Sequence, residues 1–217
     1  MADLIADPFR AARLILLLRR QGIRDDAVLA AMETIDRAVF VDPKLEELAY
    51  EDTALPIPCG QVIPKPVVVA QLLGALQASP GKEDRILIVG AGAGYMTALL
   101  ALIGRHVWAV ERYQHLVVAA RARMLELKVD NVTFRHGDGL EGWPEHSPFE
   151  RILLTGAVSG VPEKLVQQIA RGGTLVTPFN RSGQDQVIRR IAANGDTQDF
   201  PILEPLSVLR SGVSAAL

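Results

Sequence analysis

The sequence predicts an α/β chain: a mostly parallel β-sheet with helices on both faces, preceded by a helical N-terminal extension. Three observations carry this expectation. From Arg85 onward, short apolar runs alternate with helical patterns, as a parallel sheet with crossover helices requires. The first run, Arg85–Val89, leads into Gly90-Ala91-Gly92-Ala93-Gly94, a glycine turn between a buried strand and a helix. Upstream of Arg85 the alternation is missing, and helical stretches flank a proline-rich connection.

Taken in order, Pro8 to Gln21 reads as an amphipathic helix, with Leu14, Leu17 and Leu18 on one side and Arg13, Arg19 and Arg20 on the other. Such a helix is expected to pack on the main body. Asp25 or Asp26 can cap a second helix reaching about Ile35. Val39 to Pro66 is punctuated by Pro43, Pro56, Pro58, Pro64 and Pro66, with Gly60 in its middle, so it is expected to be largely loop. A loop of that length within a compact domain is usually functional or disordered. Val67 to Leu76 returns to a helical pattern, and Ser79-Pro80-Gly81 reads as a turn. That turn divides an expected single domain, 1–217, into N-terminal helices with their loop (1–80) and an α/β core (81–217).

In the core, the predicted strands are Arg85–Val89, His106–Val110, Val132–His136, Arg151–Thr155, Thr174–Pro178, Val187–Ala192 and Ser207–Val213. The predicted helices are Tyr95–Ile103, Gln114–Leu127 and a short one near Glu163–Ile169.

Composition narrows the function classes. A 49% hydrophobic fraction over 217 residues supports a sizeable core, and a net charge of −2 provides no basic field for nucleic acid. One cysteine, Cys59, leaves no internal disulfide and no cysteine-rich metal centre. His106, His115, His136 and His146 show no metal-ligand spacing and read as structural, so no metal is expected. The apolar run Leu14–Leu18 is too short to span a membrane and no cleavage pattern follows it. A soluble cytoplasmic monomer is expected, with no membrane partner.

The glycine turn restricts the ligand. A dinucleotide fingerprint would place a third glycine at position 95, where Tyr95 stands, and no Gly-Lys-Ser/Thr follows for a P-loop. A nucleoside cofactor without a pyrophosphate remains, and S-adenosylmethionine fits. Glu111, about 20 residues beyond the loop, stands where an acidic side chain meets ribose hydroxyls in this class of sheet. Asp138, between Gly137 and Gly139 after the third core strand, can reach an adenine edge or simply form an Asp-Gly turn.

Six segments, in order, resemble the protein-L-isoaspartate O-methyltransferases: RRQGIRDDAVLAAM (19–32), AYEDTALPIPCGQVIPKP (49–66), VGAGAGYMTALLA (89–101) with VERY (110–113), HGDGLEGWPEHSPFERILLTGA (136–157), VPEKLVQQIARGGTLVTP (161–178) and EPLSV (204–208). The resemblance implies a Rossmann-like S-adenosylmethionine-dependent methyltransferase fold whose sheet ends in a reversed hairpin strand. It implies methylation of the α-carboxyl of L-isoaspartyl residues in damaged proteins, with S-adenosylhomocysteine as product. The ester then closes to a succinimide that reopens partly to normal aspartate. The partners would be isoaspartyl-containing peptides and proteins. The implied cofactor residues are Gly90, Ala91, Gly92, Gly94, Tyr95, Glu111, Arg112, Gly137, Asp138, Gly139, Thr155 and Ser207. The implied substrate residues are Gln61, Val62, Ile63 and Lys65. No Ser-His-Asp or Cys-His set is needed, because a peptide carboxylate is already ionised at neutral pH and can be methylated by alignment and partial desolvation.

The chain departs from the family pattern at three places. The family's loop usually reads Gly-Gln-Thr-Ile-Ser, whereas here Gly60-Gln61-Val62-Ile63-Pro64 puts Pro64 at the active-site serine and Val62 at the threonine. Both hydroxyls are lost, and proline also lacks a backbone N–H. Ile88 replaces the acid of the first core strand, and Cys59 stands where an aromatic or polar residue is common. Cys59 reads as a small buried hydrophobe rather than a reactive thiol. Lys65 can stand in as partner for a substrate carboxylate or ride the loop as a solvated charge. A binding protein without turnover, or a methyltransferase for another carboxylate, remain as alternatives.

Overall fold

The computed structural model describes residues 8–78 and 84–214. The expected turn at Ser79-Pro80-Gly81, and with it the boundary near residue 80, lies outside the described residues.

Two helices open the fold, α1 (Pro8–Arg20) and α2 (Asp26–Thr34). Asp25 caps α2, its carboxylate accepting the Val28 N–H at 3.0 Å. Residues 37–66 are more ordered than their prolines suggest. Two short 3₁₀ turns, Arg37–Phe40 and Pro43–Tyr50, start at Asp36 and Asp42, whose carboxylates take the N–H groups of Ala38 and Lys44. A small antiparallel hairpin follows, β1 (Leu55–Ile57) with β2 (Gln61–Ile63), in the register Leu55–Ile63. A two-stranded ribbon consists only of edges, so Pro56 is tolerated on its exposed face. Then α3 (Pro66–Leu76) begins with proline in the first turn, where the missing N–H has no role, and it is buried over most of its surface.

The core alternates as expected: β3 (Arg85–Val89), α4 (Tyr95–Ile103), β4 (His106–Glu111), α5 (Gln114–Glu126), β5 (Val132–His136), β6 (Phe149–Leu154), α6 (Glu163–Val166), β7 (Ile169–Phe179), β8 (Val187–Ala192) and β9 (Thr197–Pro201). The seven strands β3–β9 form one sheet in the order β5-β4-β3-β6-β7-β8-β9. The five from β5 to β7 are parallel, and β8 and β9 turn back antiparallel. Strand order reverses at β3, which lies between β4 and β6, so a crevice opens beyond their carboxyl ends.

Two differences from the sequence expectation concern the C-terminal part. Thr197–Pro201 is a strand although it is polar and mostly exposed, because Asn194-Gly195 turns the chain back and pairs it with β8. Ser207–Val213 is not a strand. It crosses the carboxyl ends of the sheet as an irregular segment, touching it through single bridges, Ala157–Val208 and Tyr113–Ser214.

Side-chain alternation divides the apolar core between the two faces of the sheet. Leu87, Val89, Trp108, Val110, Ile152 and Leu154 pack on one face. Ile86, Ile88, Val107, Ala109 and Leu153 pack on the other, with residues of α1 to α5. Ile88 is fully buried in this apolar layer.

Candidate functional site

A cavity of about 670 Å³ opens where the strand order reverses. Its floor is the glycine turn Gly90–Ala93, with Glu111 at the end of β4, Arg112 and Tyr113 after it, and Thr155 and Gly156 after β6. One wall is a strap made of β1, its turn and β2, contributing Ile57 and Cys59–Pro64. The facing wall is the segment Leu206–Arg210.

The floor is held by backbone. Gly90 has φ +84°, and a Cβ there would lie 2.5 Å from the Thr155 Oγ1. That hydroxyl donates to the Gly90 carbonyl at 2.6 Å. Thr155 therefore ties the glycine turn to the end of β6. Gly92, with φ +56°, donates its N–H to Glu111 Oε2 at 2.8 Å. Glu111 Oε1 accepts the Tyr113 N–H at 2.9 Å. The Glu111 carboxylate is 5% exposed and sits in the floor, and each oxygen retains acceptor capacity for a further O–H donor.

Tyr95 begins α4 and lines the cavity, but its hydroxyl is buried without a partner, and burial raises its pKa well above the ordinary tyrosine range. Gly94 caps α4 at φ +99° and does not line the cavity. A Cβ there would meet Ala120 Cβ and Met124 Cε at 3.2 Å, so its place is set by the packing of α5. Gly137, Asp138 and Gly139 also lie outside the lining. Gly137 donates to the Glu111 carbonyl at 3.0 Å, and a Cβ on Gly139 would strike the Val89 side chain. Asp138 accepts the N–H groups of Leu140 (2.9 Å) and Gly212 (2.5 Å), which anchors the C-terminal segment. Ser207 and Arg112 line the cavity.

In the strap, Gln61, Val62, Ile63 and Pro64 all line the cavity. Gln61 donates to the Cys59 carbonyl at 3.1 Å, and Val62 is 50% exposed. Cys59 stands at φ +64° and packs against the apolar core. Burial, and to a lesser degree Glu111, push its thiol pKa up, which favours the protonated, inert form. Lys65 does not line the cavity. Its Nζ lies 2.5 Å from a Glu204 oxygen, and that partner raises its pKa.

Sequence reasoning missed Ile57, Met96, Tyr113 and Arg210 in the lining, and missed Arg37 entirely. Arg37 is 1% exposed and donates to the carbonyls of Ala49 (3.1 Å), Glu51 (3.5 Å), Thr53 (2.8 Å) and Pro64 (3.0 Å). No motif marks it, because its partners are carbonyls and carry no side-chain signature. Among the described residues, no cluster of His, Cys, Asp or Glu could hold a metal ion, and no helix is long and apolar enough to cross a membrane.

The family model for protein-L-isoaspartate(D-aspartate) O-methyltransferase matches residues 10–202, nearly the whole of this architecture. The chain belongs to that family. Among its relatives, the protein-L-isoaspartate O-methyltransferase of Parvibaculum lavamentivorans is 44% identical over 185 residues, covering 84% of this chain and 82% of the relative. That of Paracoccus denitrificans is 40% identical over 191 residues, covering 88% of each. A solved Plasmodium falciparum structure, named for the same activity and in complex with S-adenosyl-L-homocysteine, superposes with a TM-score of 0.75 at 26% identity. The superposition covers 91% of this chain and 97% of that one.

Proposed function

We propose that this protein transfers the methyl group of S-adenosylmethionine to the carboxylate of L-isoaspartyl residues in damaged proteins, as a repair methyltransferase. The observation that carries the reading is the two-walled cleft: a glycine floor with a buried carboxylate, faced by a strap open to an incoming chain. Family membership over residues 10–202 supports it.

The cofactor fits the floor. Gly90 and Gly92 keep side chains out of the cradle, and Glu111 can accept two ribose hydroxyls. We assign Gly90, Ala91, Gly92, Tyr95, Glu111, Arg112, Thr155 and Ser207 to the cofactor side. Gly94, Gly137, Asp138 and Gly139 shape that side from behind. When bound, S-adenosylmethionine supplies an electrophilic methyl on a sulfonium, and S-adenosylhomocysteine is the product. The protein's own task is to align an ionised carboxylate and shed its water, so no side chain has to remove a proton. Gln61, Val62, Ile63 and Pro64 form the acceptor wall, and Arg112 and Arg210 are the cations that line the cleft. Because Lys65 is engaged by Glu204 outside the lining, the acceptor's charge is met from the facing wall.

We read the chain as one domain. The apolar layer shared by α1 to α5 and the sheet supports this. We read it as a cytoplasmic monomer acting on isoaspartyl proteins without nucleic-acid or membrane partners; the net charge of −2 supports the absence of a nucleic-acid partner.

The test is transfer of radiolabelled methyl to an isoaspartyl peptide. Base-labile product is expected, and its absence beside an active control refutes the activity. Val62 and Pro64, which place no hydroxyl in the acceptor wall, favour one second reading, a protein that binds the cofactor without turnover. Calorimetry with S-adenosylhomocysteine identifies it: binding without methyl transfer.

A further inference from the structure

The strap spans several short segments, yet one side chain gathers it. All four Nη hydrogens of Arg37 have acceptors, and these are carbonyls at four separate points from Ala49 to Pro64. Three of the acceptors, Ala49, Glu51 and Thr53, precede β1, and Pro64 follows β2, so the guanidinium closes the base of the hairpin. Among the described residues, no carboxylate pairs with it directly. A buried guanidinium without an ion-pair partner is costly to remove from water. Among the described residues, its compensation is the set of carbonyl dipoles together with the electrostatic fields of Tyr95 and, more weakly, Asp52, while its Nε has no hydrogen-bond partner.

The same 3₁₀ turn also reaches the cofactor floor. It ends at Phe40, whose ring packs 5.4 Å from that of Tyr95, the first residue of α4 and part of the cavity lining. One short element thus contacts both halves of the cleft, through Arg37 to the strap and through Phe40 to the floor. The two contacts differ in kind. The floor is also fixed by the sheet, through Glu111 and Thr155. The hairpin is not part of the main sheet: among the described residues, β1 and β2 pair with each other and with no other strand.

We propose that Arg37 is the positioning residue of the acceptor half: its planar fork sets the strap over the glycine floor, and so governs capture of the isoaspartyl chain and not capture of the cofactor. This rests on the function proposed above. An arginine is required because four donors on two nitrogens reach carbonyls on separate segments. The three donors of a lysine radiate from one atom and cannot reproduce that span.

The experiment uses the full chain carrying Arg37→Lys. The expected result is an acceptor-peptide KM raised by at least about tenfold, the loss of a set of charge-assisted bonds. The Kd for S-adenosylhomocysteine should stay within about threefold of wild type, well under one such bond. Hydrogen exchange should rise in peptides covering 50–64 and remain unchanged in β3 and α4. A normal KM in the lysine variant overturns the proposal by showing that charge alone suffices. Equal losses in KM and cofactor Kd also overturn it, by reducing Arg37 to general stability. If the variant does not fold even with saturating S-adenosylhomocysteine, wild-type exchange in low urea decides. Residues 50–64 should then open together with Ala38–Phe40 and before the sheet, and independent opening overturns the proposal. If wild type shows no methyl transfer, the function fails by itself. Calorimetric binding of the peptide to the protein with S-adenosylhomocysteine then replaces KM.

Discussion

The two halves of the cleft are built on opposite principles. The floor consists of strand ends and the turns that leave them, and its polar groups are mostly backbone. Its shape follows from sheet topology, and the side chains that secure it, Thr155 and Glu111, stand at the strand ends themselves. The strap is a two-stranded ribbon outside the main sheet, gathered by one arginine and edged with side chains. A ribbon of that size has little stability of its own. Departures from the family pattern can therefore accumulate in the strap, as Val62 and Pro64 do, without disturbing the floor.

The largest effect expected is at the floor's tightest point. Gly90→Ala places a Cβ 2.5 Å from the Thr155 hydroxyl, at φ +84°. The backbone strain alone is worth about 1–3 kcal/mol. The turn should shift, and binding of S-adenosylhomocysteine should fall by about two orders of magnitude or more, at 1.4 kcal/mol per tenfold. Calorimetry reads the loss, and thermal unfolding should show a lowered midpoint. Retained affinity would mean that the floor adapts as readily as the strap.

Next is Glu111→Gln. The buried carboxylate accepts from Gly92 and Tyr113, and the amide would turn one acceptor into a donor facing an N–H. A charge-assisted hydrogen bond contributes about 1.5–3 kcal/mol, so cofactor affinity should drop roughly tenfold to a hundredfold. Peptide capture by protein already saturated with cofactor should change little. An equal loss on both sides would break the separation between the halves.

The same contrast governs what the sequence discloses. The alternation from Arg85 onward predicts the bounds of β3, β5 and β8 as found: β3 is a buried apolar run of a parallel sheet, while β5 and β8 mix apolar and polar residues between turns. Gly90, Gly92 and Glu111 were legible because sheet topology places their chemistry at fixed points after β3 and β4. Arg37 was illegible, since hydrogen bonds to carbonyls leave no mark on the partners' identities. Asp138 stands at the expected strand end but outside the cavity lining, and its carboxylate accepts the N–H groups of Leu140 and Gly212. The segment after Leu206 misled for a related reason. Its apolar residues face a cleft and solvent rather than a neighbouring strand, so strand-like composition does not produce a ladder.

A smaller effect belongs to Arg210. It lines the wall opposite the strap, and the backbone on either side is pinned: Leu209 N–H to the Ala157 carbonyl at 2.9 Å and Gly212 N–H to Asp138 at 2.5 Å. Arg210→Gln should raise peptide KM about threefold to tenfold, the range of an ion pair open to solvent, and KM should rise less steeply with salt in the variant than in the wild type, since Arg112 remains. Cofactor affinity should not move. A salt-insensitive wild-type KM would argue against a cation in acceptor recognition.

The smallest effect is expected where the sequence suggested a functional charge. Lys65 adjoins Pro64, yet it points to Glu204 and not into the cleft. Lys65→Gln should therefore leave peptide KM within about twofold, the scale of exposed ion pairs. The pH dependence gives an independent check. Its bond to Glu204 raises the Lys65 pKa above the ordinary lysine value. The folded state thus holds this proton more tightly than the unfolded chain does, so the pair's contribution is fully present below the ordinary lysine pKa. It disappears only as pH rises through the folded value. Wild type and Lys65→Gln should then differ equally in stability at pH 6 and pH 8, with the difference shrinking only in strong alkali. A raised KM in Lys65→Gln at neutral pH would place a working cation on the strap, and the acceptor half would then recognise charge by itself rather than borrow it from the facing wall.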